Sequence, residues 1–215
     1  MDLQQLKTLC ARGENQEVEF KKNSNHPDQI VEEVVGFANA GGGSLLVGVD
    51  DTGAVGGLKF AEDDTTFLLD YIHKKITPPP PFTCEIIPVS RKRGVIHLQI
   101  KAGQEKPYSF IKEAGGPKKI FYRVNDQCLQ ASRELKNILW GNTRNRGQVI
   151  HYTELEDRIL KTIDEEGRIS KDHLVSKVNF PARKISACLV RLVIAGVLKI
   201  IPTVAGDFYE YQHPG

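Results

Sequence analysis

Hydrophobic positions along this 215-residue chain change their period several times, and each change marks an element. Ile30, Val31, Val34, Val35 and Ala38 recur at helical spacing. They predict a helix that opens near Pro27, a residue suited to a first turn, and stops at Gly41 to Gly43. A short helix, Leu3–Cys10, precedes it. Between the two, in "GENQEVEFKK", Val18 and Phe20 alternate with Glu17, Glu19 and Lys21, which is the period of a strand with an apolar inner face and a charged outer one. "SLLVGVD" reads as a buried strand and "DDTG" as the turn that closes it. Residues 64–76 predict a helix, and "TPPPPF" cannot continue it. Two strands, 83–89 and 95–100, flank the polar turn "SRKRG". "YSFIK" and "KIFYRV" predict another strand pair, and "ASRELKNIL" a closing helix capped near Ser132.

The pattern then lapses. "LWGNTRNRGQVIHYTE" carries glycines, asparagines and arginines with little periodicity and reads as a linker. The expected organisation is an α+β domain at 1–143, a linker at 144–150 and a smaller domain at 151–215. In the latter, Leu155, Ile159, Leu160 and Ile163 line one helix that ends at Gly167, and Ser170 caps a second. Pro181 opens a third helix, which buries Ile185, Leu189, Leu192 and Val193. "VLKII" and "FYEYQ" then form a two-stranded ribbon. Three helices followed by a hairpin resemble a winged helix, a helix-turn-helix variant.

Composition narrows the classes. No apolar run approaches the roughly 20 residues that span a bilayer, and the N-terminus lacks a signal-type apolar core, so the expectation is a cytoplasmic protein with no membrane partner. Cys10, Cys84, Cys128 and Cys188 are dispersed without a C-x-x-C pair, which predicts free thiols and no zinc. The net charge of +2 comes entirely from the last 75 residues: the first 140 hold 18 basic and 18 acidic side chains. Between Ser176 and Pro202 there are five basic residues and no acidic one. On the third helix Arg183, Lys184, Ser186 and Arg191 lie off the apolar stripe, with Ala187 and Val190 on the same outer side. Small and basic residues there suit a major groove, and they suit a protein contact equally. A second basic stretch runs from Arg91 to Arg123; within it Lys101, Lys106, Lys112, Lys118, Lys119 and Arg123 would track a phosphate backbone.

Two stretches invite specific chemistry. In "FANAGGGSLLVGVDDTGAVGG" the glycines follow a helix and precede a strand, so carbonyls rather than amides converge there. With no G-K-[ST], a conventional ATP site is not expected. In the Glu-rich strand, residues two apart share a face at roughly 6.5–7 Å. Glu19 and Lys21 therefore lie side by side, Glu14 precedes them, and Asp50 or Asp51 closes a second strand. Converging carboxylates would form a hard-oxygen site for Mg²⁺ or Mn²⁺; a simple Glu19–Lys21 pair on a solvated face is the alternative.

The elements E-F-K, F-A-N-x-x-G-G, G-V-x-D-x-G-x-x-x-G and Y-R-V-x-x-x-x-x-x-A-S occur in that order over roughly residues 1–140. Together they resemble the Schlafen AlbA-like domain family, the bacterial "divergent AAA" type. The resemblance implies a mixed lobe that binds nucleic acid. It also implies an acidic set at Glu14, Glu19 and Asp51, serving as metal ligands and catalytic groups with Lys21 beside them, as in nucleases that cut structured RNA such as transfer RNA. Those nucleases carry two tandem lobes and a zinc site with cysteines, whereas this chain has one lobe and could rebuild the cleft only as a homodimer. The expected function is a DNA-binding transcriptional regulator; the alternatives are a divalent-metal-dependent endoribonuclease and an ATP-binding switch.

Overall fold

The computed structural model describes residues 1–144 and 152–212, and the contacts divide the chain into two compact units, Met1–Gln130 and Ala131–Gly215. Both are mixtures of helix and strand. The helix predicted to close the first domain belongs to the second unit, so the division falls at Gln130 rather than after residue 143. Residues 145–150 of the expected linker lie outside the described residues.

Unit one runs α1 (Leu3–Cys10), β1 (Val18–Lys21), α2 (Pro27–Asn39), β2 (Gly42–Val47), α3 (Ala61–Lys75), β3 (Ile76–Thr77), β4 (Phe82–Ser90), β5 (Arg93–Lys101), β6 (Ser109–Phe110), β7 (Phe121–Val124) and β8 (Gln127–Gln130). The main sheet has the order β1-β2-β5-β4, with β1 and β2 parallel and the other pairs antiparallel. The β4–β5 ladder slips between Pro88 and Ser90. On one face Leu45, Val47, Ile96, Leu98 and Ile100 meet the apolar stripe of α2 and Leu68 and Ile72 of α3. On the other, Val18, Phe20, Leu46 and Val95 meet Leu6 and Cys10 of α1. Asp2 and Gln5 cap α1 reciprocally, a capping box.

Both faces are therefore covered, and this corrects the expected solvated face of β1. Glu19 pairs in register with Leu45, so its side chain points toward α2, and only 5% of it is exposed. Glu17, which precedes the strand, is the exposed acid.

The turn from α2 to β2 is tight. Gly42 has φ +83°, a left-handed conformation, and a Cβ on Gly43 would lie 2.2 Å from the Phe37 ring. Asn39, fully buried beside it, ties three elements: its Nδ2 donates to the carbonyls of Tyr108 and Phe121 at 2.9 Å each, and its Oδ1 accepts from the Tyr108 N–H at 2.8 Å. The expected pairing of "YSFIK" with "KIFYRV" is present as a single antiparallel bridge, and other partners take the rest of each segment. β6 pairs with β3, β7 pairs with β8, and one bridge, Phe110 to Lys119, links the two regions.

Unit two comprises α4 (Arg133–Arg144), α5 (Glu154–Glu166), β9 (Ile169–Ser170), α6 (Lys171–Lys177), α7 (Ala182–Ile194), β10 (Leu198–Thr203) and β11 (Gly206–Tyr211). The hairpin β10–β11 is extended by β9 into a three-stranded sheet. Its core joins Leu155, Ile159 and Ile163 to Ile185, Leu189 and Leu192. Ser132 caps α4 through the Leu135 N–H, and Ser170 caps α6 through that of His173. Glu156 is buried where α5 meets α7, held by Arg191, the Cys188 thiol and Thr153, and its carboxyl is lowered to about 2: burial raises it, and the three donors outweigh that.

Candidate functional site

The covered face of β1 holds a compact ion cluster. Arg123, delivered by β7, is 1% exposed and directs every edge of its guanidinium at an acceptor. Nη2 donates to Glu19 Oε2 at 2.9 Å and to the carbonyls of Asn15 and Val18; Nη1 donates to Glu33 Oε2 at 2.8 Å; Nε reaches the Asn15 carbonyl again. The guanidinium also lies over the Phe37 ring, 4.5 Å from its centroid. Lys21 donates to the other oxygen of Glu19 and lies 3.6 Å from Glu33. Two cations thus face two carboxylates, as buried charge requires.

The electrostatics are not evenly balanced. Glu33 is pushed up to about 7, first by burial and then by the charge of Glu19, which Lys21 and Arg123 offset incompletely. Glu14, whose Oε1 accepts the Phe20 N–H at 2.9 Å, is also raised, chiefly by burial and further by Glu19 and Asp51, with the Phe20 N–H and Lys21 opposing. Burial works against the charge on Lys21, yet Glu19, Glu33 and Glu14 carry its pKa upward. Glu14 therefore lies within electrostatic reach of Glu19, Lys21 and Asp51. Asp51 is exposed on its turn. Its neighbour Asp50 is committed to that turn, accepting from the Thr52 hydroxyl at 2.6 Å and from the Thr52 and Ala54 N–H groups at 3.0 Å, and these bonds lower its carboxyl.

As arranged, Glu19 offers no free oxygen to a divalent cation. Both oxygens of Glu19 are taken by Lys21 and Arg123, and among the described residues no three histidine, cysteine or acidic side chains are placed to hold a metal. The residue that sequence reasoning missed is Glu33. Its signal was an acid beside the apolar stripe of α2, one turn before Phe37.

The basic residues divide in the same way. Arg123 belongs to the interior and leaves the expected phosphate track. Lys106 donates to the Ala40 carbonyl at 2.7 Å, and burial lowers its pKa. Lys112 pairs with Asp28 at 2.8 Å. Lys101 and Lys118 are exposed, and Lys119 is half-buried. In unit two, Ser186 donates to Glu134 Oε1 of α4 at 2.6 Å and Arg191 to Glu156 at 2.5 Å, so both have partners. Arg183 and Lys184 are exposed at the start of α7, and neither appears in an ion pair among the described residues.

A family model described as "Schlafen, AlbA_2" matches residues 14–132. No curated protein matches the chain. Two solved structures are similar at low identity. A crystal structure of a protein from Corynebacterium diphtheriae aligns at 18% identity and a TM-score of 0.44, over 92% of this chain and 34% of that one. This chain thus spans about a third of the length of that protein. The solution structure of the N-terminal domain of a RecG-related protein from Nitrosomonas europaea aligns at 22% identity and a TM-score of 0.43, over 69% of this chain and 95% of that one.

Proposed function

From a chain that belongs to the Schlafen AlbA_2 family, we infer a nucleic-acid-binding protein whose second unit acts as a winged helix and regulates transcription by engaging duplex DNA through α7. The observation that carries this reading is the pair Arg183 and Lys184, exposed on a helix within a stretch of five basic residues and no acidic one. Exposed cations at a helix start are available to phosphate, and phosphate contacts make affinity salt-dependent. Wild-type affinity for duplex DNA, read by fluorescence anisotropy, is expected to fall steeply with potassium chloride. The double variant Arg183→Ala/Lys184→Ala should bind more weakly and lose about two from the log–log salt slope, about 0.9 per phosphate contact. A flat salt dependence, or a slope unchanged by the double variant, would remove this role.

A second reading, an endoribonuclease acting on structured RNA, is favoured by the reach of Glu14 to Glu19, Lys21 and Asp51. Glu19 is a poor test because it also holds Arg123. Asp51→Asn is better, since Asp51 is exposed. Incubation of the protein with total transfer RNA, with Mn²⁺ and with a chelator, should show cation-dependent cleavage that the variant lacks. No cleavage, or equal cleavage by both proteins, counts against a nuclease.

A further inference from the structure

Beyond the sequence-predicted residues, unit one carries a cleft of about 310 Å³ between the segment that enters α3 and the tip of the β4–β5 hairpin. Its floor is firm. Leu58 and Gly94 exchange both backbone hydrogen bonds, at 2.7 and 3.1 Å, and a side chain at Gly94 would not fit, since a Cβ there would lie 2.7 Å from Ile86 and 3.4 Å from Ala61. Its rim is unusual. Phe60 is 61% exposed and presents its ring to solvent. Lys59 stands 5.1 Å from its ring centroid, and Arg91, Lys92 and Arg93 follow on the hairpin.

The four cations are not equivalent. Arg93 is anchored, donating to the carbonyls of Gly56 and Gly57 at 3.2 and 2.9 Å. Lys59, Arg91 and Lys92 are exposed, with no ion pair among the described residues. Glu62 and Asp63 line the α3 side, so an anion is repelled there and drawn to the hairpin side. The cleft also lies at the end of the sheet where β2 runs into the turn bearing Asp50 and Asp51, because Val47 pairs with Ile96 and β5 begins at Arg93.

We propose that this cleft binds one unpaired nucleotide of a single-stranded polynucleotide, its base stacked on Phe60 and its phosphates held by Lys59, Arg91 and Lys92. An exposed ring flanked by cations is the platform on which a base can stack while its backbone is neutralised. A duplex keeps its base faces inside the helix and offers the ring nothing, so the ligand is single-stranded. The proposal rests on the nucleic-acid-binding reading and adds a second, separate surface to it.

The test uses the full chain, a fluorescent single-stranded oligonucleotide of about 12 nucleotides, and duplex DNA in parallel. Phe60→Ala should weaken single-strand binding about tenfold, within the range of one lost base–aromatic stack, and leave duplex binding unchanged. Phe60→Trp should restore single-strand affinity, with indole emission quenched on binding. Arg91→Ala/Lys92→Ala should reduce the single-strand salt slope by about 1.4, at about 0.7 per contact. Equal single-strand affinity of the wild type and Phe60→Ala overturns the cleft. Wild-type binding to duplex but not to the single strand overturns the cleft alone. Binding to neither overturns the nucleic-acid reading with it.

Discussion

Arg123→Ala will destabilise unit one by about 3–5 kcal/mol, the cost of leaving a buried charge without its partner. The loss comes from the groups left orphaned. Glu19 is 5% exposed and would keep Lys21 as its sole cation, while Glu33 would lose its 2.8 Å bond and the carbonyls of Asn15 and Val18 a shared donor. Against a total domain stability of about 5–15 kcal/mol, such a loss is large. Urea unfolding followed by circular dichroism measures it. Arg123→Lys should recover only part, because one ammonium cannot reach two carboxylates and two carbonyls in the guanidinium's fork geometry. A loss below about 1 kcal/mol, the range of exposed pairs, would mean the cluster is solvated rather than buried.

Asn39→Ala should be nearly as damaging, at about 3 kcal/mol or more, since a buried group left unsatisfied costs about 1–3 kcal/mol. Two carbonyls and one N–H, on Tyr108 and Phe121, lose their partner together. Asn39→Asp distinguishes hydrogen bonding from mere volume. The carboxylate can still accept from the Tyr108 N–H but faces two carbonyl oxygens with no donor. It should be at least as destabilising as alanine above pH 6. If aspartate were tolerated there, the two carbonyl bonds would not matter.

These two residues also show what the sequence could reveal. Helices α1, α2, α5 and α7 were legible because each buries one stripe, and a stripe has a period. Strand β1 was legible as a strand for the same reason. Its alternation says that Glu19 and Lys21 share a face, but not that α2 and β7 cover it. Arg123 looked like one more cation in a basic run. Its acidic partners lie 104 and 90 residues away, so no local pattern announces that it is interior. Strand β8, "QCLQ", lacked an apolar alternation to find, and its pairing with β7 is set by the Asn125–Asp126 turn, where Asn125 takes φ 55°. Strand spacing suggests the acidic set and the family resemblance narrows it to Asp51; that cations already occupy Glu19 needed coordinates.

The slip in the β4–β5 ladder bears on self-association. β4 is an outer strand of the main sheet, and such strands can recruit a strand from another molecule. Pro88 offers no N–H to an incoming chain, and the irregularity between Pro88 and Ser90 bends the template away from a straight register. Continuous sheet extension from one copy to the next is therefore obstructed toward the hairpin tip. Two copies that met along β4 would have to do so near Phe82, leaving the basic tip of each free.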